Sequence, residues 1–319
     1  MTAPSIEEHC SYSLFKSYEN LDPRSVPRRQ IYTAFNSDGV PTSYYELKVL
    51  GHGAFSKIIL AEDISTGERA VIKTADTSSP HGIEIATASL LHEINILKNL
   101  DHPSLVKMIV FNERSSPFIV FPYYEGGDLF ELVAKHHALI TPAIATRIFS
   151  DISKAVSYLH DNNITHRDIK LENVLLTITP EKLFALEDVQ SHPTPLVVLS
   201  DLGLSTKFSP DAPLLTTRCG SVDYIPPELL MGEPYDGRQI DSWALGVLLY
   251  AIMEGKLPFN PRCNRKTVSL IVKIEWFWCK HRNNLSSEWE SAKRIVAGCL
   301  RKRDNRLLVK DMVAGMTVA

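Results

Sequence analysis

Hydrophobic and polar residues alternate in short runs up to residue 121, and this pattern predicts β-strands. The strands are expected at 44–50, 58–62, 69–73, 105–111 and 117–121. Between the third and fourth strands, apolar residues at three- and four-residue steps predict one helix over 84–99. The first part of the chain is therefore expected to form a small unit of strands with a single helix.

A break rich in proline, tyrosine and glycine at 122–127 separates this part from a helical one and is expected to act as a hinge. Beyond it the apolar period lengthens, apart from an apolar strand expected at 196–199. Helices are expected at 128–136, 142–162, 227–231, 241–254, 267–276, 288–300 and 308–314. The chain thus divides into a small α+β unit and a larger, mainly helical unit.

Two polar segments interrupt this pattern. Residues 1–43 contain prolines and little periodicity, so we expect a loosely ordered extension, with a docking or regulatory segment as the alternative. Residues 177–195 are expected to form a surface insertion with a short helix around 181–186. A plain surface loop and a partner-binding loop both remain open for this insertion. Residues 315–319 form a short tail.

Composition narrows the class of protein. The chain is 44% hydrophobic and 22% charged, as expected for a globular protein with a sizeable core. A net charge of −3 argues against nucleic-acid binding, and no apolar run is long enough to predict a transmembrane helix. The N-terminus lacks a signal-peptide pattern, and five cysteines without a CxxC pair predict free thiols in a reducing compartment. We expect a monomer in the cytoplasm, with the nucleus as an additional location.

The most informative stretch is 164–173, which carries a carboxylate, an amine and an amide within six residues. Asp168 is suited to accept a proton from a hydroxyl nucleophile, and Lys170 is suited to steady a transferring phosphate. Asn173 is a candidate metal ligand. A packing role would not require these three residue types in this order.

Other candidate residues lie in the first part of the chain. The run 51–56 places Gly51 and Gly53 between two strands, where backbone amides could approach phosphates; an ordinary glycine-rich turn is the alternative. Lys73 ends the third strand, and Glu93 lies at the centre of the predicted helix. Glu93 is either a solvated surface residue or the anionic partner that holds the Lys73 ammonium in place.

In this order the motifs resemble those of eukaryotic protein kinases. The resemblance covers about 45–306 and rests on the glycine-rich run 51–56, the lysine motif 71–73, Glu93, the catalytic-loop residues 166–173, the metal motif 201–203, the segment end 226–228, Asp241 and Arg306. It implies a bilobal α+β kinase fold with an antiparallel-sheet N-lobe, 44–121, containing helix C. It also implies a mainly helical C-lobe, 122–314, with an activation segment at 201–228.

The resemblance further implies ATP and Mg²⁺ as cofactors. Asp168, Lys170, Lys73 and Glu93 would be catalytic, and Asn173 and Asp201 would hold the metal. The ATP-binding residues implied are Gly51, His52, Gly53, Ala54, Phe55, Ser56, Ile58, Val71, Lys73, Phe121, Tyr123, Asp128 and Leu175. Lys170 is typical of serine/threonine kinases, so the expected substrates are Ser and Thr residues of proteins. The motif variants are similar to the calcium/calmodulin-dependent group, in a fungal-like branch.

The resemblance also suggests how activity is regulated and how substrates are selected. Thr216 and Thr217 lie where an upstream kinase would add an activating phosphate, and Arg167 would pair with that phosphate. Solvated loop threonines are the alternative. Glu172 and Asp128 match positions that contact arginine or lysine upstream of the phosphorylation site in basophilic kinases. Helix capping or surface roles are the alternative for both acids.

Three residues depart from the family pattern: Ser56 replaces the third glycine, Val71 an alanine and Leu202 a phenylalanine. None of these changes removes a charge that phosphoryl transfer requires. A pseudokinase scaffold, which binds partners without transferring phosphate, is the main alternative. It would be expected to lack Lys73, Asp168, Asn173 or Asp201, and this sequence has all four.

Overall fold

The computed structural model describes residues 30–36, 38–53, 55–76, 82–114, 116–259, 264–279 and 287–317. The described residues form a smaller lobe built on an antiparallel sheet and a larger, mainly helical lobe. This confirms the predicted bilobal α+β fold. Ala54, which the sequence places in the ATP-binding loop, lies outside the described residues.

The N-lobe sheet has six strands in which every neighbouring pair is antiparallel. The strands are β1 (Ile31–Phe35), β2 (Pro41–His52), β3 (Ser56–Asp63), β4 (Arg69–Ala75), β5 (Val110–Asn112) and β6 (Phe118–Pro122), in the spatial order β1-β2-β3-β4-β6-β5. Helix α1 (Ile83–Leu97) follows β4 and buries Leu90 and Ile94 in the same apolar cluster as the sheet residue Val71. One face of the sheet therefore packs against α1 and borders the cleft between the lobes.

The opposite face of the sheet has an apolar cluster of its own, to which β1 contributes Tyr32 and Ala34. The Tyr32 and Phe118 rings meet edge to face with centroids 5.3 Å apart. The prediction of a loosely ordered extension over 1–43 is therefore wrong for the part of it from residue 30 onward, apart from residue 37, which is not described. In β1 the residues on both faces are small, aromatic or β-branched, so polar–apolar alternation does not mark it as a strand.

The C-lobe contains the remaining elements of the described chain. They are α2 (Leu129–His136), α3 (Pro142–Asp161), β7 (Ile164–Thr165), β8 (Val174–Leu176), α4 (Pro180–Phe184), β9 (Val197–Leu199), β10 (Thr206–Lys207), β11 (Leu214–Leu215), α5 (Pro227–Met231), β12 (Tyr235–Asp236), α6 (Gly237–Glu254), α7 (Asn264–Lys273), α8 (Glu290–Cys299) and α9 (Val309–Thr317). The short strands pair as β7 with β10, β8 with β9 and β11 with β12. Within the described ranges, no helix has both the length and the apolar character needed to cross a membrane.

Most predicted boundaries differ from the structure by a few residues, among them the helix predicted at 267–276, which runs from Asn264 to Lys273, and two of the differences have a clear cause. Helix α6 begins at Gly237 rather than 241, because the Asp236 side chain accepts a hydrogen bond from the Arg238 amide and caps the helix. The strand predicted at 105–111 is regular only from Val110. Its first part runs beside β9 instead, where the Val106 amide donates to the Leu199 carbonyl at 2.9 Å.

The insertion at 177–195 is held by one arginine of α3. The Arg147 guanidinium donates to the carbonyls of Val189, Gln190, His192 and Thr194 at 2.9–3.1 Å. Its Nε also pairs with Asp151, whose Oδ2 accepts from the Leu196 amide just before β9. The insertion is thus fixed to the C-lobe at the start of the strand that leads to Asp201.

Candidate active site

The catalytic-loop carboxylate is Asp168, which is only 8% exposed. Its Oδ2 accepts from Lys170 Nζ at 2.8 Å and from Asn173 Nδ2 at 3.2 Å. Its Oδ1 accepts from the Ser221 amide at 3.1 Å and from Ser221 Oγ at 3.0 Å. The carboxylate is therefore fixed in one orientation by neighbours from the catalytic loop and from the activation segment.

Asn173 is oriented as a metal ligand would be. Its amide nitrogen donates to the Asp168 backbone carbonyl at 2.8 Å, which fixes the side chain. Its Oδ1 is buried and accepts no hydrogen bond from the part of the chain that the structure describes. Because an unpartnered buried acceptor is costly, this oxygen is suited to coordinate a cation. The amide and the Asp201 carboxylate together form the oxygen-rich ligand set that Mg²⁺ prefers.

Lys73 lies between two carboxylates. Its Nζ is 2.6 Å from Glu93 Oε2 on α1 and 2.7 Å from Asp201 Oδ1 after β9. Burial alone would lower the pKa of Lys73, but the Asp201 and Glu93 carboxylates outweigh burial and raise that pKa. Lys73 in turn outweighs burial at Asp201 and holds the pKa of that carboxyl at about 2. Lys73 and Asp201 are therefore charged at neutral pH, whereas burial raises the pKa of the Glu93 carboxyl, and the three side chains tie both lobes together.

The backbone conformation at Asp201 brings the following amide into contact with Glu93. Asp201 adopts a left-handed backbone conformation with φ of 63°. The following amide, from Leu202, donates to Glu93 Oε1 at 3.3 Å. Glu93 is 1% exposed and not a solvated surface residue, so the structure supports the second of the two interpretations of its sequence position.

The glycine-rich loop forms the turn between β2 and β3. The Gly53 amide donates to the Ser56 carbonyl at 2.7 Å and closes the loop. His52 Nδ1 lies 2.8 Å from Asp76 Oδ2, which links the loop to the residue after β4. The Phe55 side chain is exposed at the loop tip. Phosphate binding by the amides of 51–56 stays a prediction.

Apolar residues predicted to contact adenine come from three different strands. Ile58 of β3, Val71 of β4 and Leu175 of β8 are all buried. Val71 pairs in register with Phe121 of β6, the residue that precedes the hinge containing Tyr123. Leu175 forms an isolated bridge with Asp128, so the hinge and β8 are adjacent. The predicted pocket residues are thus brought together around the cleft between the lobes.

Gly126 explains how the hinge approaches β8 so closely. A Cβ atom at this position would lie 2.2 Å from the Ile178 carbonyl oxygen and 2.6 Å from the Leu176 Cβ. Both contacts are far below van der Waals distance, so the backbone can pass here only without a side chain. This close approach places the hinge beside β8, the strand that follows the catalytic loop.

Asp241 of α6 anchors the catalytic loop from the interior of the C-lobe and is fully buried. Its carboxylate accepts from the amides of His166 and Arg167, both at 2.9 Å, and from Thr165 Oγ1 at 2.9 Å. His160 Nε2 lies 2.8 Å from Asp241 Oδ2. This network holds Arg167 in a left-handed backbone conformation with φ of 67° and sets the direction of the following Asp168.

The activation segment ends in a buried ion pair. Arg306 pairs with Glu228 through two bonds of 2.6 and 3.1 Å, and its guanidinium lies 5.0 Å from the Trp243 ring centroid. Near this end of the segment, Thr216 and Thr217 are exposed. Arg167 donates to the Leu204 carbonyl at 2.7 Å, and no described carboxylate pairs with it. Its charge thus remains available to an added anion.

The two acids predicted to recognise substrate differ in their surroundings. Glu172 is partly exposed, and its Oε2 is buried without a hydrogen-bond partner among the described residues. Asp128 is 0% exposed, and its carboxylate caps α2 by accepting from the Glu131 amide at 2.8 Å. The structure therefore supports helix capping, the alternative interpretation of Asp128, and its contacts with ATP and with a substrate arginine stay predictions.

Three residues of this site were not singled out by their chemistry in the sequence. Ser221 orients Asp168, Tyr235 contacts Arg167, and Arg147 fixes the insertion ahead of Asp201. Serine and tyrosine are common in loops, so only their proximity in the fold reveals these contacts. Arg147 and Asp151 are four residues apart on one helix, a spacing that predicts a local ion pair but not the carbonyl contacts.

The chain is similar in sequence to a known protein family and to several known proteins. Residues 44–314 match the family model described as the protein kinase domain. The SNF-related serine/threonine-protein kinase of Rattus norvegicus is 33% identical across 86% of this chain. Serine/threonine-protein kinase PRR1 of Saccharomyces cerevisiae is 29% identical across 85% of this chain and 61% of its own length. Serine/threonine-protein kinase ppk27 of Schizosaccharomyces pombe is 36% identical across 67% of this chain and 56% of its own length.

The extent of these matches is also informative. The chain spans 33% of the length of the SNF-related kinase from Rattus norvegicus. The family match begins at residue 44, so β1 lies outside it. It includes Lys73, Glu93, Asp168 and Asp201, whose side chains the structure brings to one cleft. The chain belongs to the protein kinase family.

Proposed function

We propose that this chain is an ATP-dependent serine/threonine protein kinase. The observation that carries the proposal is the assembled triad, in which Lys73 Nζ lies 2.6 Å from Glu93 and 2.7 Å from Asp201. The Asp168 carboxylate is also held in one orientation, by hydrogen bonds from Lys170, Asn173 and Ser221. A pseudokinase would be expected to lack Lys73, Asp168, Asn173 or Asp201, and the sequence has all four.

The chemistry follows from these positions. Asp168 orients the hydroxyl of the substrate and accepts its proton during transfer. Lys170, 2.8 Å from Asp168, provides a positive charge beside the transferring phosphoryl group, and Lys73 binds the phosphates that stay with the nucleotide. Asn173 and Asp201 would hold magnesium, which when bound offsets negative charge on the phosphates.

Label transfer from γ-labelled ATP tests this activity. The purified chain is incubated with three peptides that differ only in the acceptor residue: Ser, Thr or Tyr. We expect labelled phosphoserine and phosphothreonine, and no labelled phosphotyrosine. Absence of label from every peptide, or label only on tyrosine, would contradict the proposed activity.

The second part of the proposal is a preference for arginine or lysine upstream of the acceptor. It is supported by Glu172, whose partly exposed side chain has a buried oxygen to which no described residue donates a hydrogen bond. Burial raises the pKa of the Glu172 carboxyl, while Lys170 acts in the opposite direction. A guanidinium from the substrate would supply the missing donors and a compensating charge.

Peptide pairs with Arg or Ala three or two residues before the serine test this preference. Wild-type protein is expected to phosphorylate the Arg peptide with a kcat/KM about tenfold or more above that of the Ala peptide. Glu172→Gln should reduce this ratio, whereas Glu181→Gln, an exposed acid in the insertion, should leave it unchanged. Equal ratios for wild type and Glu172→Gln would remove Glu172 from substrate recognition.

The third part is activation by phosphorylation of Thr216 or Thr217. Arg167 of the catalytic loop supports it, because its guanidinium has no carboxylate partner among the described residues and donates to the Leu204 carbonyl of the segment to which these threonines belong. A phosphate adds about −1.5 to −2 charges and would order the segment through Arg167. Full activity of a Thr216→Ala/Thr217→Ala variant would contradict this mechanism. The upstream kinase, the monomeric state and the cytoplasmic or nuclear location remain predictions.

A further inference from the structure

Tyr235 of β12 connects the activation segment to the catalytic loop through its hydroxyl. The hydroxyl donates to the Thr217 carbonyl at 2.6 Å and accepts from Arg167 Nη1 at 3.4 Å. The ring is 1% exposed and packs in an apolar cluster with Leu229 and Ile240. The ring and the hydroxyl therefore make separate sets of contacts, and their contributions can be separated by mutation.

The contact with Arg167 brings the two ends of the activation segment together. Arg167 Nε donates to the carbonyl of Leu204, near the start of the segment, at 2.7 Å. Tyr235 extends the same connection to Thr217, near its end. Pairing of β11 with β12 adds a backbone link, with Leu215 opposite Tyr235. These contacts hold the segment against the catalytic loop.

A short run of backbone leads from this anchor to the catalytic carboxylate. Gly220 has φ of 101°, and a Cβ atom there would lie 2.7 Å from the Arg167 carbonyl oxygen. The next residue, Ser221, donates to Asp168 Oδ1 from both its amide and its hydroxyl. Ser221 follows Thr217 by four residues, so displacement of Thr217 would also move the amide and hydroxyl that orient Asp168.

We propose that the Tyr235 hydroxyl is a positioning group for protein substrates: it fixes 217–221 so that Ser221 keeps Asp168 in place when the substrate binds. It acts through the backbone and does not touch the reacting atoms. ATP contacts other parts of the cleft, so its binding should not depend on this hydroxyl. The inference rests on the proposed kinase activity and is independent of the proposed preference for basic residues.

Tyr235→Phe removes the hydroxyl and keeps the packed ring. Tyr250→Phe is the matched control, because Tyr250 of α6 is also 1% exposed and its hydroxyl also donates to a backbone carbonyl, that of Phe277, at 2.8 Å. For each protein, KM and kcat are measured for a serine peptide and for ATP. Hydrogen exchange of a fragment covering 214–221 is measured in the same preparations.

For Tyr235→Phe we expect kcat/KM for the peptide to fall about threefold to tenfold, the range for one lost hydrogen bond, while KM for ATP stays at the wild-type value. Exchange over 214–221 should be faster in this variant, and Tyr250→Phe should match wild type in all three measurements. Unchanged peptide kinetics in Tyr235→Phe would overturn the proposal. So would equal losses in both variants, or a rise in KM for ATP as large as the loss in kcat/KM for the peptide. Wild-type protein without transfer activity would instead contradict the proposed function itself.

Discussion

The catalytic loop and strand β1 are both short and partly apolar, yet they are encoded in different ways. Asp168 and Asn173 in the loop have specific polar contacts within the loop and from the activation segment. In β1, Tyr32 and Ala34 contribute shape to an apolar cluster, and many other side chains would fill the same space. Chemistry requires particular residue types in a particular order, whereas packing requires only volume and apolar character.

This difference predicts opposite effects of changes at the two places. Changes in the loop should abolish phosphoryl transfer and leave the fold intact. Changes in β1 should weaken the fold first and reduce activity only as a consequence. The predictions below test that separation, from the largest expected effect on stability to the smallest.

Removal of β1 should have the largest effect on stability. A chain of 44–319 begins where the family match begins and lacks the Tyr32 ring that covers the back of the sheet. Burial of an aromatic side chain is worth about 5 kcal/mol, from roughly 150–250 Å² at about 25 cal/mol per Å². This is comparable with the whole stability of many domains. Denaturant unfolding of 30–319 and 44–319 measures the difference.

The chain of 30–319 is the control, because it keeps every described residue. If 44–319 were as stable as 30–319, the cluster behind the sheet would not depend on β1, and the contrast with the catalytic loop would be lost.

Glu228→Ala should have the next largest effect. It leaves Arg306, a buried cation with two bonds of 2.6 and 3.1 Å to that carboxylate, without its charged partner. Removing one member of a buried pair costs about 3–5 kcal/mol. Thermal unfolding should show this loss, and Glu233→Ala, an exposed acid nearby, should show almost none. A stability loss below about 1 kcal/mol would mean that the pair contributes little to the C-lobe.

How far the sequence predicts this structure depends on the kind of residue. Lys73, Glu93 and Asp201 belong to distant segments, and their order along the chain was sufficient to predict one site. Asp128 was assigned to substrate recognition by position alone, yet its carboxylate caps α2. A cap and a binding site use the same residue type, so only its burial in the fold distinguishes the two roles.

Irregular backbone was also beyond sequence reasoning. The insertion at 177–195 has no strong apolar period, and its conformation depends on carbonyls that accept from Arg147. Backbone carbonyls are present at every residue and leave no signal in the sequence. For the same reason the contact of the Thr217 carbonyl with Tyr235 could not be predicted.

Arg147→Lys tests this anchoring of the insertion. Lysine keeps a positive charge beside Asp151 but cannot reproduce the planar group that reaches four carbonyls. We expect a loss of about 2 kcal/mol in unfolding free energy, because hydrogen bonds from a charged donor are lost. Limited proteolysis should become faster within 185–195. An unchanged cleavage rate would show that packing of α4, and not Arg147, holds the insertion.

The smallest expected effect is the dependence of stability on pH through the Lys73–Asp201 contact. Because Lys73 lowers the pKa of Asp201 to about 2 from 3.8, Asp201 stabilises the folded state above its unfolded pKa. That contribution is lost as the pH falls through about 4 toward about 2. Lys73 has a raised pKa, so its own contribution is present at neutral pH and is lost only in strongly alkaline solution.

Urea unfolding between pH 2 and pH 5 measures this effect as a difference between wild type and Asp201→Asn. The stability of wild type should fall more steeply with decreasing pH than that of the variant. Parallel curves would mean that Asp201 does not gain stability from Lys73 in the folded chain.

The central claim is that Asp168 takes part in phosphoryl transfer and not in nucleotide binding or folding. Asp168→Asn tests it, with Asp101→Asn, an exposed aspartate, as the control. Three quantities are measured in the same preparations: label transfer from ATP to a serine peptide, ATP affinity and the melting temperature. We predict that transfer by Asp168→Asn falls about 10²–10⁴-fold, while its ATP affinity and melting temperature stay close to those of the control. Transfer at the wild-type rate by Asp168→Asn would contradict the account.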